Sequence, residues 1–131
     1  MKMNKKKGVA LLLALLTLII ISLLMVAFLE VTTIDLQITS NHFNRNKALY
    51  IADAGVEYAV WRLKSSKANS SQLMEFPLGS GNTYNVTYNS VSATLTSVGR
   101  LISGEQVTVE AKVSVTGSAP YTVKIIYWRE P

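Results

Sequence analysis

The sequence predicts an α+β fold: a long N-terminal helix, membrane-spanning in its first half and amphipathic in its second, packed against a small antiparallel sheet of about four strands. Three observations predict it. An apolar run without charge fills Val9 to Leu29; no proline interrupts Glu30 to Lys64; and Val107 to Val115 alternates apolar and polar residues. With 131 residues there is room for one small core beside a membrane segment. The expected organisation is a basic leader at 1–8, a membrane helix at 9–29, an amphipathic helix at 30–64, a loop at 65–82 and a sheet module at 83–131.

The leader concentrates charge. The formal net charge is +5, and Lys2, Lys5, Lys6 and Lys7 supply four of those positive charges. The remainder is close to neutral, which argues against a broad basic surface for nucleic acid. A looser basic stretch, Arg45, Lys47, Arg62, Lys64 and Lys67, reads first as a solvated helix face, with DNA contact the weaker expectation.

From Val9 to Leu29 the only polar residues are Thr17 and Ser22, whose hydroxyls can return to the helix backbone. At about 1.5 Å per residue the run is roughly 30 Å long, the hydrocarbon thickness of a bilayer. A cleaved secretory signal has an apolar core of about 7 to 15 residues and a small-x-small cleavage site. This run is longer, and Met25-Val26-Ala27 before Phe28 matches such a site poorly. A membrane anchor with its lysines held in the cytoplasm fits better.

Beyond the run, nothing obliges the helix to stop at the membrane surface. Ala48, Ala52, Gly55 and Ala59 recur at steps of four, three and four, with Leu49, Val56, Val60 and Leu63 beside them. They form a small-residue stripe suited to close helix–sheet packing. Arg45, Lys47, Asp53, Glu57, Arg62 and Lys64 lie mostly elsewhere around the helix. A continuous helix from Val9 to about Lys64 would be on the order of 80 Å long.

The polar stretch at 65–71 reads as a loop. Strands are expected where Tyr84, Val86 and Tyr88, then Val91, Ala93 and Leu95, then Val107 to Val115, then Tyr121, Val123, Ile125 and Tyr127 alternate with polar residues. Gly99, Ser103-Gly104 and Gly117 to Pro120 read as turns. Trp61 and Trp128 are expected to pack in the core or between helix and sheet.

No catalytic or metal site is expected, and no cofactor. Cysteine is absent and His42 is the single histidine, among Asn41, Asn44 and Asn46 on a wet helix surface. The carboxylates are scattered; Asp53 and Glu57 share one helical turn. The Gly79-Ser80-Gly81-Asn82 segment reads as a turn, since no strand leads into it as a phosphate loop requires. The triplets at Asn69 and Asn85 matter only in a host that glycosylates them.

Two stretches carry a family resemblance. Lys6, Lys7, Gly8 and Val9, followed by the apolar run, resemble the cleavage site of type IV prepilins. The resemblance implies that a prepilin peptidase cuts between Gly8 and Val9, removing the basic residues Lys5, Lys6 and Lys7 with the leader, and that Val9 is then N-methylated. The stretch from Asn46 to Leu63 resembles the signature of the PilX-type branch of minor pilins, matched at Ala48, Ala52, Asp53, Ala54, Gly55, Val56 and Ala59, with aspartate where glutamate is usual.

What the resemblance implies is a minor pilin or pseudopilin, anchored once in the bacterial cytoplasmic membrane with its C-terminus outside. It would assemble with other major and minor pilins through the N-terminal helix, on the platform of a type IV pilus or type II secretion system. Most major pilins carry glutamate at the fifth mature position, where this chain has Leu13. In that it is similar to the minor pilins and pseudopilins proposed to start the fibre at its tip. The alternative expectation is a single-pass anchored module whose sheet binds a ligand, a surface or DNA without polymerising.

Overall fold

The computed structural model describes residues 5–66 and 70–131; Lys2, Lys67 and Asn69 lie outside them. A single helix, α1, occupies Lys5–Leu63, 59 residues. Five strands follow: β1 (Ser70–Glu75), β2 (Thr83–Asn89), β3 (Thr94–Arg100), β4 (Gln106–Thr116) and β5 (Thr122–Arg129). The chain divides into two compact units, residues 1–40 and 41–131.

In the first unit the helix is built from apolar residues whose few hydroxyls are spent locally. Thr17 Oγ1 donates to the Ala14 carbonyl at 2.9 Å and Ser22 Oγ to the Leu18 carbonyl at 2.8 Å. Thr32, Thr33 and Thr39 do the same one turn back. These five hydroxyls are thus satisfied by the helix itself, as a hydrocarbon environment demands of Thr17 and Ser22 in the apolar run.

In the second unit the rest of α1 lies against the sheet. The sheet is an antiparallel meander in the order β1-β2-β3-β4-β5. Its core side carries Tyr84, Val86 and Tyr88 from β2, Leu95 from β3, and Val107, Val109, Ala111 and Val113 from β4, all buried. Ala48, Ile51, Ala52, Val56, Ala59 and Leu63 of the helix complete the same core. A sheet with one packed and one wet face shows the period of two that β4 displays most clearly. The helix closes with the Ser65 and Ser66 amides and the Ser65 hydroxyl on the Arg62 carbonyl, and with Arg62 in its last, electronegative turn.

Four sequence expectations are corrected. The sheet has five strands, because Ser70–Glu75, within the stretch expected as loop, pairs along its length with β2. Val91 is 94% exposed and Ala93 has φ of 54°, so both belong to the turn into β3, where Asn89 Oδ1 accepts from the Val91 amide at 2.9 Å. Gly99 is no turn: it pairs with Tyr84 on one side and Val107 on the other in mid-sheet. Trp61 and Trp128 are 67% and 45% exposed rather than packed in the core.

Candidate functional site: the N-terminal helix and its sheet support

Two glycines, one on the helix and one on the sheet, set how closely these elements meet. A Cβ on Gly55 would stand 2.3 Å from Ser97 Oγ and 3.0 Å from the Tyr84 ring; one on Gly99 would stand 2.2 Å from the Ala48 carbonyl oxygen and 2.6 Å from the Ala52 nitrogen. Both distances are far inside van der Waals contact, so the helix lies on β3 almost backbone to backbone. The inward residues of β3, Leu95, Ser97 and Gly99, shrink along the strand to admit it. Of the stripe read from sequence, Ala48, Ala52, Val56, Ala59 and Leu63 are buried, as is Gly55.

The flanks of the helix are pinned by polar contacts. Asp53 Oδ1 accepts a hydrogen bond from Trp128 Nε1 at 3.0 Å, which ties the motif aspartate to the last strand. Partial burial pushes the Asp53 carboxyl above its ordinary range; the Trp128 bond opposes this and neighbouring Glu57 adds to it. Arg45 pairs with Glu130 at 2.6 Å, Asn44 Nδ2 donates to Glu105 at 3.0 Å, and Arg62 donates to Gln72 of β1. The Glu105 carboxyl is held below its usual range, chiefly by the Ser103 hydroxyl. Sequence reading missed Trp128 as a tether: its signal was a lone indole on an edge strand, which has no periodicity to announce it.

The N-terminal part of α1 contrasts sharply. Every residue from Gly8 to Phe43 is exposed, and the helix from Gly8 is long and apolar enough to cross a membrane, with a mean hydropathy of 3.1 over its most apolar stretch. A Cβ on Gly8 would meet nothing within 4 Å. The fold therefore gives no reason for glycine there. Lys5, Lys6 and Lys7 open the same helix, and Val9 and Leu13 follow one another along its exposed surface at 60% and 55%.

A family model described as PilX N-terminal matches residues 7–57. That segment is type IV pilin-like, of the PilX type. The PilX-type match begins at Lys7, takes in Gly8, Val9 and the apolar run, and ends at Glu57 past the stripe at Ala48, Ala52 and Gly55. The sheet beyond it completes a pilin-like α+β arrangement of one long helix and an antiparallel sheet. No curated protein and no solved structure gives a significant match to the chain.

The described residues offer little that resembles a catalytic centre. Among the described residues no three His, Asp or Glu side chains cluster closely enough to hold a metal ion, and His42 is exposed. Within the basic stretch, Arg45 is paired with Glu130 and Arg62 donates to Gln72.

Proposed function

We propose that this chain is a minor pilin or pseudopilin that is cut between Gly8 and Val9 and joins other pilins through the helix from Val9 to Leu29. The observation that carries this is the contrast among glycines. Gly55 and Gly99 are required by packing, whereas Gly8 stands in open space between Lys7 and the apolar run, so its identity answers to something other than the fold, such as a peptidase that reads it. Lys5, Lys6 and Lys7 would leave with the leader, and Val9 would carry the new, methylated amino group. The prepilin peptidase and the assembly platform are the partners this requires.

The absence of a carboxylate at Leu13 favours a place at or near the tip, where the first subunit of a type IV pilus or secretion pseudopilus has no earlier amine to pair with. The small sheet would then be presented outside the membrane. Mass spectrometry of the native protein tests the reading: a chain beginning at methylated Val9 is expected. A chain still carrying Lys5, Lys6 and Lys7, located alone in the membrane, would leave the anchored, non-polymerising module as the better account.

A further inference from the structure

Two turns of the second unit depart from the usual chemistry of surface turns, in which Gly, Pro, Asn, Asp and Ser predominate. Between β1 and β2 the Ser80 amide donates to the Pro77 carbonyl at 3.1 Å, which makes Leu78 the corner of a four-residue turn. Between β3 and β4 the Gly104 amide donates to the Leu101 carbonyl at 3.0 Å, and Ile102 takes the same corner. Leu78 is 91% exposed and Ile102 78%. Single exposed aliphatic residues are ordinary, but these two stand on loops that are held side by side. The Ile102 amide donates to Oδ1 of buried Asn82 at 3.0 Å, and a Cβ on Gly81 would stand 2.8 Å from Ile102 Cδ1.

Neither loop carries a charge. Residues 76–82 and 101–104 include no Asp, Glu, Lys or Arg. The flanking carboxylates are taken up locally: Glu75 accepts from the Gly81 amide, and Glu105 from the Ser103 hydroxyl and from Asn44. The Asn44 contact fixes where the loops are. Asn44 lies at the end of the second unit where α1 enters it, and in a meander the β1–β2 and β3–β4 loops share that end. At the opposite end, in the turn between β2 and β3, the exposed aliphatic residue is Val91, set between Ser90 and Ser92.

An uncharged surface with aliphatic points and glycine and serine between them suits a partner that has no shape to match. The boundary between lipid headgroups and acyl chains is such a partner: it takes up apolar side chains and rejects charge. Asn41, where the unit begins, follows Leu29, where the apolar run ends, by twelve residues. A bilayer that holds the run is therefore kept beside the unit at high effective concentration, as any tethered partner is.

We infer that Leu78 and Ile102 rest in the interface of the bilayer that holds the apolar run, so that the anchored chain lies with this end of its sheet on the lipid surface. The inference rests on the membrane-anchored reading and adds a second lipid contact to it; cleavage at Gly8 and fibre assembly do not enter it.

The chain lacks cysteine, so each single-cysteine variant of the full chain carries one label. Leu78→Cys, Ile102→Cys, Val91→Cys and Leu18→Cys would be labelled with a fluorophore and reconstituted, at low protein-to-lipid ratio, in phosphatidylcholine vesicles holding lipids with a nitroxide either near the headgroup or deep in the acyl chain. Quenching by the shallow nitroxide is expected to be about twofold or more stronger at 78 and 102 than at 91, as for side chains that enter the boundary by about 5–10 Å. Leu18→Cys, quenched by the deep nitroxide, reports that the run is in the bilayer. Equal quenching at 78, 91 and 102 with Leu18 quenched overturns the lipid contact alone; no quenching at Leu18 removes the anchored reading as well. Shielding of 78 and 102 from aqueous iodide without nitroxide quenching assigns them to a protein partner, a second copy where the shielding grows with protein-to-lipid ratio, and equally overturns the inference.

A second variant tests the chemistry of the contact. Adding Leu78→Asp to Ile102→Cys places a charge at the neighbouring corner, which the boundary rejects. Quenching at 102 should fall to the level seen at 91, while the thermal midpoint stays unchanged because Leu78 is almost fully exposed. Quenching at 102 that persists beside the aspartate overturns the inference.

Discussion

Gly99 in the middle of β3 lies against Ala48 of the helix so closely that a Cβ on Gly99 would stand 2.2 Å from the Ala48 carbonyl oxygen. The obstacle is backbone, and no rotamer change relieves it. Gly99→Ala must therefore move the helix off the sheet, an overpacking cost of about 1–3 kcal/mol or more. The denaturation midpoint of the full chain in detergent, followed by tryptophan fluorescence, should fall. Gly8→Ala, whose Cβ meets nothing, should not lower it.

Gly55 and Ser97 make a testable pair. Ser97 Oγ is buried without a hydrogen-bond partner among the described residues, so Ser97→Ala should be neutral or stabilising by up to about 1 kcal/mol. Gly55→Ala should destabilise, since its methyl would meet that oxygen at 2.3 Å. Combining them removes the oxygen and part of the clash. The double variant is expected to be more stable than the sum of the two single changes predicts, a non-additivity characteristic of residues in contact; strict additivity would mean that the Tyr84 ring, 3.0 Å away, sets the limit.

Asp53 and Glu105 should give opposite pH signatures. The Asp53 carboxyl is raised, first by burial, so the folded state holds this proton more tightly than the unfolded one. Its contribution is full below the ordinary carboxylate range and is lost as pH rises through the raised value. The stability of the wild type minus that of Asp53→Asn should therefore decline as pH rises from about 4 towards neutrality. Glu105 is lowered, first by the Ser103 hydroxyl, so its contribution is present above the ordinary range and is lost on acidification. The corresponding difference for Glu105→Gln should shrink as pH falls below about 4. Denaturant titrations at several pH values separate the two, and parallel curves for both variants would refute the assignment.

The sequence displayed those parts of the fold whose residues obey a simple period. The helix stripe from Ala48 to Leu63 and the β4 alternation from Val107 to Val115 bury one face each, and burial of one face is what creates a readable period. The elements that escaped notice break this rule for identifiable reasons. Leu95, Ser97 and Gly99 taper to admit the helix backbone, so the inward face of β3 ends in a polar residue and a glycine that looked like a turn. Ser70–Glu75 owes its strand state to pairing with β2 along one edge, and an edge strand need not be apolar on either face. Trp128 reaches Asp53 across 75 positions of sequence, a relationship that only the fold creates. The reading of Gly8 and Val9 is of another kind: it rests on their local pattern with the lysines, and no packing contact bears on it.

Leu13 offers the most direct test of position in a fibre. Its side chain is 55% exposed on α1 and stands within the apolar run. A carboxylate in a membrane helix costs up to about 2.5–3.5 kcal/mol at the bilayer centre, and an adjacent amino group on a neighbouring subunit would offset that cost by ion pairing. A subunit that starts a fibre has no such neighbour, so Leu13→Glu should hinder it in that role while improving its ability to follow another subunit. Immunogold labelling of fibres is expected to shift from the tip towards the shaft, with fewer fibres started. Unchanged labelling together with unchanged fibre number would mean that the leucine has no bearing on the order of assembly, and the tip placement would have to be abandoned even if cleavage at Val9 were observed.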